Sequence, residues 1–139
     1  MPLKLTAAAV AGVLFATSVA AQATAAITLN LDCGSSDGRV MVALYDSESA
    51  YDGEGAPVRQ MAAQPGQPVR LEGLAPGRYA IKSFHDVNGN GKMDTNPFGM
   101  PTEPYAFSNN AIGNMGPAAW RDAAFEVGAA GATQTLRLK

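Results

Sequence analysis

The sequence predicts an all-β fold, a single antiparallel sandwich. Three observations predict it: short runs with a two-residue alternation of apolar and polar side chains, Gly- and Pro-containing turns between them, and no convincing helical period after the first 25 residues. Ile27, Leu29 and Leu31 alternate with Thr28, Asn30 and Asp32 to give a first strand. The cluster Gly34-Ser35-Ser36-Asp37-Gly38 turns the chain into RVMVALYD, where Val40, Val42 and Leu44 share a face. SESAYDGEGAP reads as loop, VRQMAAQ as a weaker strand, and Pro65-Gly66 as the turn into PVRLEGL with Val69 and Leu71 inward. Pro76-Gly77 leads into RYAIKSFHD, with Tyr79, Ile81 and Ser83 on one face and Ala80, Lys82 and Phe84 on the other. At the C-terminal end AAFEVGA and TQTLRLK form a final pair around Ala130-Gly131, and residues 117–124 form at most a short helical turn.

Composition excludes several classes of function. The chain has 139 residues, 47% hydrophobic and 16% charged, too apolar for a disordered protein and too short for two ordinary domains. Ten basic against twelve acidic side chains leave a net charge of −2, so a basic nucleic-acid-binding face is not expected. One His and one Cys exclude a multi-histidine zinc site, a Cys-rich metal site and an intrachain disulfide. The same count excludes a blue-copper centre, which takes two His. Cys33 is expected as a small apolar side chain at a strand end, with pairing between two chains through Cys33 as the alternative.

Residues 1–25 read as a secretory signal peptide. Lys4 gives a basic start, AAAVAGVLFATSVAA an apolar stretch, and Ala21-Gln22-Ala23 and Ala23-Thr24-Ala25 supply A-x-A cleavage patterns, with Ser18-Val19-Ala20 a third acceptable site. The apolar run of about 15 residues falls short of the roughly 20 that span a bilayer. The expected mature domain is therefore residues 26–139, periplasmic or secreted, with no transmembrane segment.

Residues 86–122 depart from the alternation. So long a connection in a small ordered domain is expected to bind something or to pack on itself. It opens with DVNGNGKMD, in which Asp86, Asn88 and Asn90 occupy positions 1, 3 and 5 of a calcium-loop template. Gly91 stands at position 6, Lys92 at position 7 would give its backbone carbonyl, and Asp94 stands at position 9. Alternate side-chain oxygens of such a turn can converge on a hard cation that offsets the repulsion between Asp86 and Asp94. Pro97 stands where an EF-hand has its bidentate Glu, so Glu103 is the candidate for a distal carboxylate. Calcium affinity in the range of extracellular modules, ~10⁻⁴–10⁻³ M, is expected. The competing expectation is an Asx-rich turn held by its own backbone amides.

The stretch from Gly77 through Val127 resembles the bacterial DUF2141 family of uncharacterised secreted proteins. The resemblance rests on the Gly-x-Tyr-Ala strand at 77–80, His-Asp-x-Asn-x-Asn-Gly-Lys-x-Asp at 85–94, Gly-x-Pro-x-Glu at 99–103 and Phe-Ser-Asn-Asn at 107–110. It implies an exported β-sandwich and no particular activity. Leu74, Pro76, Gly77 and Tyr79 also resemble the turn of transthyretin-like and carboxypeptidase-regulatory-like modules, which implies an immunoglobulin-like or transthyretin-like sandwich of about seven strands with one long loop. Hydroxyisourate-hydrolase chemistry, known on a transthyretin-like fold, relies on several histidines that this chain lacks.

The first functional expectation is a non-enzymatic envelope protein, binding or structural, with no catalytic residues assigned and a calcium-ordered loop. The second is an envelope hydrolase using His85 with Asp86 or Glu103, which requires a cleft at His85. Tyr105, Phe107 and Trp120 beside Ser108-Asn109-Asn110, with Phe98 nearby, would suit a carbohydrate ligand or an envelope protein partner. Phe107 and Trp120 are expected instead to form the loop's own small core, with Phe98 and Tyr105 more exposed.

Overall fold

The computed structural model describes residues 24–139, so the signal peptide falls almost wholly outside the described residues. Ala25, assigned above to the end of that signal, is buried as the first residue of β1 and pairs with Leu74.

Among the described residues, eight strands form two packed sheets. They are β1 (Ala25–Cys33), β2 (Arg39–Tyr45), β3 (Arg59–Ala63), β4 (Val69–Leu74), β5 (Gly77–Asp86), β6 (Tyr105–Phe107), β7 (Phe125–Val127) and β8 (Ala132–Leu138). The smaller sheet has the order β4-β1-β8 and the larger β3-β2-β5-β6, with β7 also paired to β5. Alternating residues of both sheets meet between them: Ile27, Leu29 and Leu31 from β1, Val40, Val42 and Leu44 from β2, Ile81 from β5 and Leu136 from β8. Each such side chain contributes roughly 1.5–3 kcal/mol by leaving water.

The strand positions follow the alternation, but three pairings do not follow the turns. The Pro65-Gly66 turn does not close a hairpin, because β3 pairs with β2 and β4 with β1, across the two layers. The expected final pair also separates: β7 pairs with β5, β8 with β1, and only a bridge from Gly128 to Gly131 remains between them. The β1–β8 pair runs parallel, from Ile27 opposite Ala132 to Cys33 opposite Leu138, within an otherwise antiparallel arrangement. Period-two patterning assigns a residue to a face, but the same pattern serves either neighbour.

Residues 86–122 are not one irregular loop. They contain the end of β5, the strand β6, a 3₁₀ turn at Ser108–Asn110 and a short helix α1 (Trp120–Ala123). This segment folds across the outer face of β5 and makes a second apolar cluster of Tyr51, Ala80, Phe107, Ala118 and Ala123, with Trp120 packed against it. Phe107 and Trp120 therefore serve the small core expected of them. Tyr51 lies in the stretch read as plain loop, here a π-helical turn at Ala50–Glu54, and it is fully buried. Its hydroxyl donates to the Ala118 carbonyl at 2.8 Å, and its ring meets Tyr45 and Trp120 edge-on at 5.6 and 5.7 Å.

Candidate functional site: an Asx-rich clasp at one end of the sandwich

The end of β5, the β1–β2 turn and the connection 87–104 meet at one end of the sandwich. Asp86 closes β5 with 0% of its surface exposed. A carboxylate so buried requires hydrogen bonds and countercharge. Its Oδ1 accepts the Asn90 N–H at 3.1 Å and its Oδ2 the Gly91 N–H at 2.8 Å, while Arg39 Nε stands 3.8 Å from Oδ2. Arg39 also donates through Nη2 to the Gly89 carbonyl at 3.3 Å, tying β2 to the tip of the turn. Gly91 has φ +77°, the left-handed conformation that its position demands. Gly38 is fixed by space as well as by φ: a Cβ there would lie 2.0 Å from the Asp86 carbonyl oxygen.

The asparagines continue the pattern. Asn88 Oδ1 accepts the Asn90 N–H at 3.1 Å, and Asn90 Oδ1 accepts the Lys92 N–H at 2.9 Å, two successive Asx turns. Their Nδ2 groups both donate to Asp94, at 2.5 Å from Asn88 and 2.8 Å from Asn90. Glu103 is buried and closes the loop: Oε1 accepts the Val87 N–H and Oε2 the Asp94 N–H, each at 3.1 Å. All six residues singled out in the sequence, Asp86, Asn88, Asn90, Lys92, Asp94 and Glu103, thus belong to one hydrogen-bond network. Lys92 enters it through its N–H. Among the described residues, no three His, Cys, Asp or Glu side chains are grouped so as to hold a metal ion.

His85 and Ser83 point into the sandwich. His85 is 1% exposed and its Nε2 lies 2.6 Å from the Asp37 carbonyl, to which it donates as the Nε2–H tautomer. Ser83 is buried and donates to the Ala106 carbonyl at 3.0 Å. Both side chains are thus closed off from solvent, whereas hydrolysis at His85 requires it to face an open cleft.

The Phe-Ser-Asn-Asn run is occupied with the fold itself. Ser108 Oγ, fully buried, accepts the Ile81 N–H at 2.8 Å and donates to the Ala123 carbonyl at 2.5 Å. Asn109 Nδ2 donates to the Asp122 and Ala124 carbonyls, and its Oδ1 accepts from Gln134 Nε2 at 3.1 Å. Asn110 Oδ1 accepts the Arg137 N–H at 2.9 Å and its Nδ2 donates to the Thr135 carbonyl at 2.8 Å, so one side-chain amide stands in for a strand along the edge of β8. The amides expected to face a sugar are engaged with backbone. These roles were not visible in the sequence, although left-handed φ values at Asn109 and Asn110 suit asparagine.

Two further polar groups are set by burial. Lys82 lies over the Tyr51 ring at 4.2 Å and the Tyr45 ring at 5.2 Å and donates to the Tyr51 carbonyl. Burial lowers its pKa, opposed by the Asp52 carboxylate. Burial, with the Asp52 and Tyr45 charges adding to it, pushes the Tyr51 hydroxyl up to about 12. Cys33 is half-buried at the end of β1, forms no disulfide, and has its pKa raised chiefly by burial.

Fold and site together define a mainly β protein of two open sheets, with an Asx-rich clasp closing one end. Residues 32–135 match the family model described as uncharacterized protein conserved in bacteria, DUF2141, and the chain belongs to that family. No curated protein and no solved structure gave a match.

Proposed function

We propose that this chain is an exported, non-enzymatic sandwich of the transthyretin-like kind, in a binding or structural role in the cell envelope, whose clasp takes up calcium. Asp86, Asn88, Asn90, Asp94 and the Lys92 carbonyl would supply the oxygens, and Glu103 a distal carboxylate. One observation carries the reading: a nine-residue turn gathers two carboxylates and two amides, and both amides face Asp94. Amide orientation follows the partner it faces. As placed, the Nδ2 groups hold Asp94 by hydrogen bonds while the Oδ1 atoms cap the Asn90 and Lys92 N–H groups. With calcium bound, the Oδ1 atoms would turn to the ion and Asp94 would draw back to Ca–O distances of about 2.3–2.6 Å, an all-oxygen set that suits a hard cation.

On this reading, calorimetric titration of chelator-treated protein is expected to give one calcium per chain, and Asp94→Asn to lower the affinity at least tenfold. Equal heats for the variant and the parent would remove the assignment. Export is checked by intact mass: processing after Ala23 keeps Ala25 in β1, whereas a chain beginning at Ala26 would contradict the strand's role. Among the described residues no helix is long and apolar enough to cross a membrane. A dimer through Cys33 belongs to this reading as its assembly form and is read by non-reducing electrophoresis with Cys33→Ser.

A further inference from the structure

The clasp holds the only two Asn-Gly peptides of the chain, Asn88-Gly89 and Asn90-Gly91. In such a dipeptide the glycine nitrogen can attack the asparagine side-chain carbonyl, because no Cβ crowds the approach. A bond forms from the glycine N to the asparagine Cγ, and the Cγ–Nδ2 bond breaks. The proton of the glycine N–H goes to the departing amide, which leaves as ammonia. Water then opens the five-membered imide at either carbonyl, giving aspartate or isoaspartate. One neutral amide has become one carboxylate, with water the sole reactant consumed.

The two asparagines are matched at the group attacked and at the leaving group. Both are exposed, and each precedes a glycine with left-handed φ, +73° at Gly89 and +77° at Gly91. Each Oδ1 accepts the N–H two residues on, at 3.1 Å for Asn88 and 2.9 Å for Asn90. Such a donor stabilises the oxygen on which negative charge develops during attack. Each Nδ2 is held by Asp94, at 2.5 and 2.8 Å. They differ at the nucleophile. The Gly91 N–H donates to the buried Asp86 Oδ2 at 2.8 Å, so its hydrogen bond must break before it can react. A nitrogen that must also shed its proton is disfavoured beside a fixed negative charge. Asp86 takes the Asn90 and Gly91 amides but passes over Gly89, whose N–H has no hydrogen-bond partner among the described residues.

We propose that Asn88-Gly89 is a self-modification site, which converts spontaneously through the imide while Asp86 protects Asn90-Gly91 in the same turn. The product puts a carboxylate at residue 88, where an Nδ2 donor to Asp94 stood, so like-charge repulsion replaces a hydrogen bond. The clasp is then loosened unless a cation stands between the two groups. That consequence for the cation rests on the calcium reading above; the selective conversion does not.

The test is peptide mapping by mass spectrometry of the processed protein aged at mildly alkaline pH, native and in guanidinium chloride. Fragmentation assigns the gain of about 1 Da that accompanies loss of the amide to residue 88 or residue 90. In guanidinium chloride the two sites should convert at similar rates, since each is followed by glycine. In the native protein Asn88 should convert about tenfold faster than Asn90, the factor set by the one hydrogen bond that the Gly91 nitrogen must give up. Native conversion of Asn90 as fast as that of Asn88 overturns the proposal. So does a native Asn88 that stays intact while the unfolded chain converts. Asn88→Asp, which carries the product's charge, should melt below the parent in chelator, and equal melting would contradict the loosening. Calcium should bind this variant more tightly than the parent, because it adds a carboxylate ligand. Selective conversion in a protein that does not respond to calcium would remove the calcium reading and leave the modification site standing.

Discussion

Ser108 occupies the one gap along the outer edge of β5: its Oγ takes the Ile81 N–H at 2.8 Å, between the stretch paired with β7 at residues 77–79 and that paired with β6 at 82–84. The same oxygen donates to the Ala123 carbonyl, so a single buried hydroxyl joins the central strand to the short helix α1. Ser108→Ala strips both groups of their partner. Each orphaned buried group costs about 1–3 kcal/mol, and the variant is expected to lose about 2–4 kcal/mol in denaturant unfolding. A loss below about 0.5 kcal/mol would show that Ser108 does not bridge β5 and α1.

Asn110 protects the edge of β8 by side-chain pairing with Arg137 and Thr135. Asn110→Gly keeps the left-handed backbone, φ 48°, and removes only the amide. The Arg137 amide should then exchange its hydrogen about tenfold faster, in line with a hydrogen bond of about 1.4 kcal/mol. An unchanged rate would mean that the edge is closed by something other than Asn110.

Strand positions were legible because one-sided burial imposes alternation on Ile27–Leu31, Val40–Leu44 and Tyr79–Ser83. Their partners were not. Pro65-Gly66 and Ala130-Gly131 have ordinary hairpin chemistry, yet both connect strands of different sheets, and a turn signal marks a reversal without choosing the layer. Tyr51 was hidden by Gly and Pro residues around it, since a lone aromatic in such a run carries no period. At the clasp, the spacing of Asp86, Asn88, Asn90 and Asp94 was readable because side chains of a tight turn interact locally, and the fold-back of Glu103 agrees with the expectation that it reaches the loop. The contributions of Arg39 and Gly38 were not readable, because they come from a different strand and a different turn.

Alkaline stability should follow Tyr51. Its hydroxyl is held protonated up to about 12, against an ordinary value of 10. The folded state therefore binds the proton more tightly, and the associated stability, complete below pH 10, is lost as pH rises through about 12. Lys82 acts oppositely: its lowered pKa makes stability rise with pH up to its ordinary value of 10.5, as the charge confined over the rings is released. Tyr51→Phe should flatten the fall above pH 10 while costing about 1–3 kcal/mol at neutral pH for the unpaired Ala118 carbonyl. An alkaline limb identical in parent and variant would place the transition elsewhere.

The most direct measurement of the central claim is thermal unfolding of chelator-treated protein titrated with calcium, with magnesium as the comparison. A ligand bound only by the native state adds about 2.7 kcal/mol at a hundredfold excess over Kd, which for a domain of this size raises Tm by roughly 10 °C. The account predicts a saturable rise specific to calcium and absent in Asp86→Ala. No shift at about 10–100 mM calcium, a hundredfold over the expected Kd, or an equal shift in that variant, would contradict it and leave the clasp as a turn held by its own hydrogen bonds.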